Sequence, residues 1–150
     1  MSVTPSSNNA ASTRANELAA QRQRARSASL RFNLLLGCAA TAAMAVWLGT
    51  PTPAVAADPE LSQILRDMAA IKAAVVLVTV VALNWRFGRE LSPRLASLYL
   101  LGAWLLAGAS MMIWQLAQIP TAAFAFHLGA FVLLATAWRD RTSGNGSTRR

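Results

Sequence analysis

Four apolar runs dominate this sequence: Phe32–Leu48, Met68–Trp85, Leu95–Leu116 and Ala122–Trp138. A bilayer core needs about 20 mostly apolar residues per helix, within a range of about 17–25. All four runs meet that requirement, although the second carries Lys72. Only 13% of the 150 residues are charged and 55% are hydrophobic. Soluble domains hold about 25% charged residues, so the deficit of charge excludes an ordinary soluble domain. The expected fold is all-α: an integral membrane four-helix bundle over residues 32–140. Its spans fall near 32–50, 68–86, 95–116 and 121–138. Residues 1–31 form a basic tail, with 1–14 unstructured and Asn16–Arg31 a basic helix or tail. Residues 141–150 form a second basic, unstructured tail.

Local signals support these boundaries. Asp58-Pro59-Glu60 supplies an N-cap, a proline for the first helical position and an acid for the first turn. The second helix is therefore predicted to begin near Pro59, with 59–67 lying along the interface before the span. Ser92-Pro93 repeats the pattern for the third helix. Pro120-Thr121 leaves only a tight loop, so the third and fourth helices pair antiparallel.

Arginine fixes the expected orientation. Of thirteen arginines, twelve fall before the first run, between the second and third, or after the fourth. Arg66 is alone on the other side, with Asp58, Glu60 and Asp67. Basic residues mark cytoplasmic loops, so both termini are expected in the cytoplasm, in a bacterial inner membrane. The net charge of +8 then has a topological origin, and no nucleic-acid partner is expected.

The stretch Gly49–Glu60, GTPTPAVAADPE, contains a small-x-small motif at Ala54-Val55-Ala56. A signal peptide has a short basic region and an apolar core of about 7–15 residues. Here about 31 residues precede a run of 17, which favours a retained first helix over cleavage after Ala56. The sequence LLGC at Leu35–Cys38 is a weak match to a lipoprotein box, with few apolar residues before it. Cys38 is the single cysteine, so neither an internal disulfide nor a CxxC site can form in this chain.

In lipid, helices associate through close contact of small residues. The first helix carries Gly37 among many alanines. Ala103, Ala107 and Ser110 share nearly one face of the third, and Ala122, Ala125 and Gly129 one face of the fourth. Trp47, Trp85, Trp114 and Trp138 end their runs, as an interfacial belt requires. Trp104 lies mid-span and is expected to pack on a small-residue face.

Lys72 and His127 are the ionisable side chains within the runs, and such residues are functional candidates by default. Counting inward, Lys72 lies about 6 Å and His127 about 10 Å from the outer boundary. Met44, Met111, Met112 and Trp114 fall near that level. Three readings stand open. In the structural one, Lys72 snorkels or pairs with Asp67, His127 bonds a backbone carbonyl or a hydroxyl such as Ser110, and methionines fill gaps. In the second, His127, Met111, Met112 and Met44 hold Cu(I), or His127 is an axial haem ligand. A bis-His haem within the chain is excluded. In the third, Lys72 and His127 relay protons, a reading weakened because no carboxylate lies within a span. No catalytic residues are identified: no nucleophile–base pair or acid–base carboxylate pair occurs in a span, so no enzyme is expected.

The segment IKAAVVLVTVVALNWRFGRELSPRL, Ile71–Leu95, resembles the copper-resistance D membrane family. That family has a lysine opening an apolar helix, an Asn-Arg-like pair at its cytoplasmic end and a proline soon after. Lys72, Asn84 and Pro93 match; Trp85 separates Asn84 from Arg86. The resemblance covers about 25 of 150 residues and implies copper or periplasmic metal handling. The function expected from the residues is an accessory, structural or partner-binding membrane subunit, contacting lipid, other membrane proteins or itself. The alternative is a copper- or haem-handling protein or small transporter subunit using His127 and Lys72.

Overall fold

A computed structural model describes residues 7–51, 53, 57–89 and 91–144, with side chains placed for 12–51, 53, 57–89 and 91–141. Four helices account for the described chain: α1 (Ser7–Leu48), α2 (Pro59–Arg86), α3 (Pro93–Trp114) and α4 (Ile119–Gly144). All four are long and apolar enough to cross a membrane. The protein is an all-α membrane bundle. The motif at 54–56, Glu90 and residues 145–150 lie outside the described residues.

The boundaries follow the local chemistry. Asp58 caps α2 by accepting from the Glu60 and Leu61 amides, both at 3.1 Å. Ser92 caps α3 by accepting from the Leu95 amide at 3.4 Å. Residues 59–67 run unbroken into the second span, in the one helix expected to begin near Pro59. Helix α3 stops at Trp114, two residues earlier than expected, in a Schellman-type close. The Ala117 amide donates to the Met112 carbonyl and the Leu116 amide to that of Ile113. Leu116 and Gln118 take φ of 57° and 43°; these left-handed positions reverse the chain in four residues. Pro120 then falls in the first turn of α4, where its missing N–H costs no hydrogen bond.

Helix α1 begins at Ser7, within the stretch expected to be unstructured, and runs 42 residues without interruption. Nucleation is the costly step of helix formation and extension is cheap. The span and the Ala-, Arg- and Gln-rich stretch after Asn16 supply the nucleus.

Helix α3 is the central element. It packs against each of the others, whereas α1 and α2 meet only briefly and α4 meets neither of their backbones among the described residues. Accordingly α3 is buried on several sides, at Ala96, Tyr99, Gly102, Ala103, Leu106, Ala107, Ala109, Ser110 and Ile113. The expected small-residue positions Ala103, Ala107 and Ser110 are all among them. At the arginine-bearing end, Leu34, Leu83, Phe87, Leu91, Tyr99 and Ala103 form one apolar cluster. At the opposite end Ala69, Ile113 and Ala122 form a second, with Met112 against it. Hydroxyls within the helices return to their own backbones. Thr41, Thr79, Ser110 and Thr136 donate to the carbonyls of Gly37, Val75, Leu106 and Val132, so none asks for water in the apolar layer.

Trp104 packs as expected on a small residue. A Cβ at Gly37 would overlap the Trp104 indole ring. The indole N–H is buried there, with no acceptor among the described residues. Gly37→Ala is expected to cost about 1–3 kcal/mol through overpacking. The same change should be nearly neutral in a Trp104→Leu background. Thermal unfolding in detergent checks both, and an equal loss in the two backgrounds would refute the contact.

Candidate functional site

The outer-layer candidates are spread by the central helix over different faces. Met44 and Met112 line a groove between α1, α3 and α4, together with Trp104 and Ala125. Met111 and Trp114 line a second groove, between α1, α2 and α3. His127 lines neither. Its ring is exposed on α4, and Nδ1 donates to the Ala123 carbonyl one turn back at 2.7 Å. That bond fixes the tautomer of the neutral ring and leaves Nε2 as the atom open to a ligand. Among the described residues, no three His, Cys, Asp or Glu side chains gather as metal ligands.

Lys72 reaches α4. Its ammonium lies 5.2 Å from the centre of the Phe126 ring, and that ring packs edge-on against His127 at 6.0 Å. The contact given to Lys72 is thus an aromatic face rather than the Asp67 carboxylate. A ring quadrupole stabilises a cation where water is scarce. Of the residues carrying the family resemblance, Asn84 is exposed near the end of α2 and Pro93 is the first residue of α3.

A polar cluster at the arginine-bearing end was not anticipated. Arg86 forms a two-pronged ion pair with Asp140: Nε donates to Oδ2 at 2.9 Å and Nη2 to Oδ1 at 2.9 Å. The Tyr99 hydroxyl donates to the same carboxylate at 3.4 Å. Both charged side chains are largely covered, at 25% and 17% exposure. The signal in the sequence was Asp140 itself, an acid between Arg139 and Arg141 where the helix dipole and topology both favour cations. Nearby, Arg89 stacks on Trp85 at 4.2 Å.

The two grooves differ in content. The groove holding Met111 is walled by small side chains of three helices: Ala39 and Ala42 of α1, Ala69 and Ala73 of α2, Ala107 and Ser110 of α3. Cys38 lies at its edge. Ala125 faces the other groove, while Gly129 is buried against Gly102 inside the α3–α4 pair. In a comparison with known proteins, the chain matches no family model, no curated protein and no solved structure.

Proposed function

We propose that the protein is an accessory membrane subunit that receives a transmembrane helix of a partner. The observation that carries this reading is the open, alanine-walled groove between α1 and α2. Two helices that pack on α3 but scarcely on each other leave a vertical slot lined by small residues. Small side chains let a further helix backbone approach closely, which is where helix association in lipid finds its energy. Charge distribution supports a bacterial inner membrane with both termini in the cytoplasm, since most arginines gather at one end of the bundle.

The test is site-specific photocrosslinking in native membranes. A photoreactive residue at Ala73, inside the groove, is expected to give a protein adduct of one defined mass. The same residue at Val78, which is 69% exposed, should give lipid adducts alone. Ala39→Leu with Ala73→Leu should abolish the protein adduct formed from a probe at Ala42. Identical lipid-only patterns from Ala73 and Val78 would sink the proposal.

A further inference from the structure

At the arginine-bearing end a cavity of about 370 Å³ opens between α1 and the turn joining α2 to α3. Two guanidinium groups from segments far apart in sequence line it, Arg26 from α1 and Arg89 from the turn. The hydroxyl-bearing residues Ser27 and Ser92 stand beside them. Leu30, Phe87 and Leu91 also contribute to its walls. The cavity is therefore mainly polar and cationic, with apolar side chains beside the arginines.

Arg89 is steadied on the Trp85 ring at 4.2 Å, a contact that engages its flat face and leaves its N–H edge for an anion. Arg31 reaches over Gly88 closely enough that a Cβ there would lie 2.8 Å from Nη2. Ser92 accepts the Leu95 amide. The α3 N-terminus adds its partial positive charge to the same place. Of the acids near this end, Asp140 is engaged by Arg86, and Glu90 follows Arg89 in sequence outside the described residues.

We infer that this cavity is a binding site for a phosphate-bearing anion, its phosphate oxygens held between Arg26 and Arg89. Two sources share that chemistry, the headgroup of an anionic phospholipid and a soluble phosphate. Planar guanidinium groups hold phosphate oxygens through paired hydrogen bonds, and basic pockets between helices suit anionic headgroups. The inference is independent of the partner groove, which lies on alanines toward the opposite end of the bundle.

Native mass spectrometry of the purified full-length chain in detergent tests it, using phosphatidylglycerol and phosphatidylcholine as probes. Retention of phosphatidylglycerol over phosphatidylcholine is expected. Arg26→Gln with Arg89→Gln should weaken it about thirtyfold, the loss of two charge contacts near a membrane surface. Arg22→Gln with Arg24→Gln removes the same charge outside the cavity and should change it far less. Should the Gln variant fail to fold, Arg26→Lys with Arg89→Lys keeps the charge and is expected to retain selectivity for the anionic lipid. Displacement of the lipid by millimolar inorganic phosphate would assign the site to soluble phosphate, and persistence to the headgroup. Equal losses in the two Gln pairs, or no preference for phosphatidylglycerol together with no binding of inorganic phosphate, would overturn the inference.

Discussion

Gly129→Leu is expected to force α3 and α4 apart and to destabilise the bundle by about 3 kcal/mol, the upper part of the overpacking range. A Cβ at Gly129 would stand 2.9 Å from the Gly102 carbonyl oxygen and 3.0 Å from the Leu105 Cβ. The first obstacle is backbone and cannot rotate away. Reciprocally, a Cβ at Gly102 would lie 2.7 Å from Leu133 Cγ and 3.1 Å from the Gly129 carbonyl oxygen. The two glycines thus set how closely the most extensively paired helices approach. Without a hydrophobic drive between helices in lipid, that closeness is the main source of their attraction. Unfolding in mixed micelles of rising SDS fraction, followed by tryptophan fluorescence, measures the loss. An unchanged midpoint accompanied by loss of a partner would show that Gly129 serves an outer surface after all.

Gly129 marks where legibility ended. A stripe of small residues at helical spacing is visible in sequence because it repeats every three or four positions. What lies on the stripe is not, since the same spacing serves an internal neighbour or a foreign helix. Ala103 on α3 and Gly129 on α4 close inside the chain, whereas Ala107 and Ser110 of the same α3 stripe form part of an open slot. Ala39, Ala42 and Ala73 meet an open slot. The caps Asp58 and Ser92 were readable because capping is a local hydrogen bond within three residues. The layer of Met44, Lys72, Met111, Met112 and His127 was a statement about depth alone. Depth follows from rise per residue, but azimuth depends on which helix occupies the centre, and α3 divides that layer among separate grooves. The approach of Lys72 to Phe126 was hidden for the same reason.

Breaking the Arg86–Asp140 pair is expected to cost about 1–3 kcal/mol from either side, below the figure for a fully buried pair because both groups keep some water. Nothing local in the sequence announces the pair, because 54 residues separate its members. Its position explains it. Arg86 ends α2, where a cation suits the helix dipole, while Asp140 sits near the end of α4, where a carboxylate does not. Asp140 is retained there by its partner and by Tyr99. Because the backbones of α2 and α4 do not meet among the described residues, two side-chain bridges join them: this ion pair and, about 21 Å along α2, Lys72 on Phe126. Removing Arg86 as Arg86→Leu strands a covered carboxylate against an opposing dipole. Removing Asp140 as Asp140→Leu strands a guanidinium whose Nη1 is already buried without an acceptor among the described residues. The double variant leaves neither charge stranded, so its cost should fall short of the sum of the singles by about 1–2 kcal/mol. A four-membered cycle in detergent measures that coupling, and its survival in 0.5 M salt, expected because both groups are largely covered, separates it from a screened surface pair. Additive single losses would mean that the pair contributes nothing to holding α2 against α4.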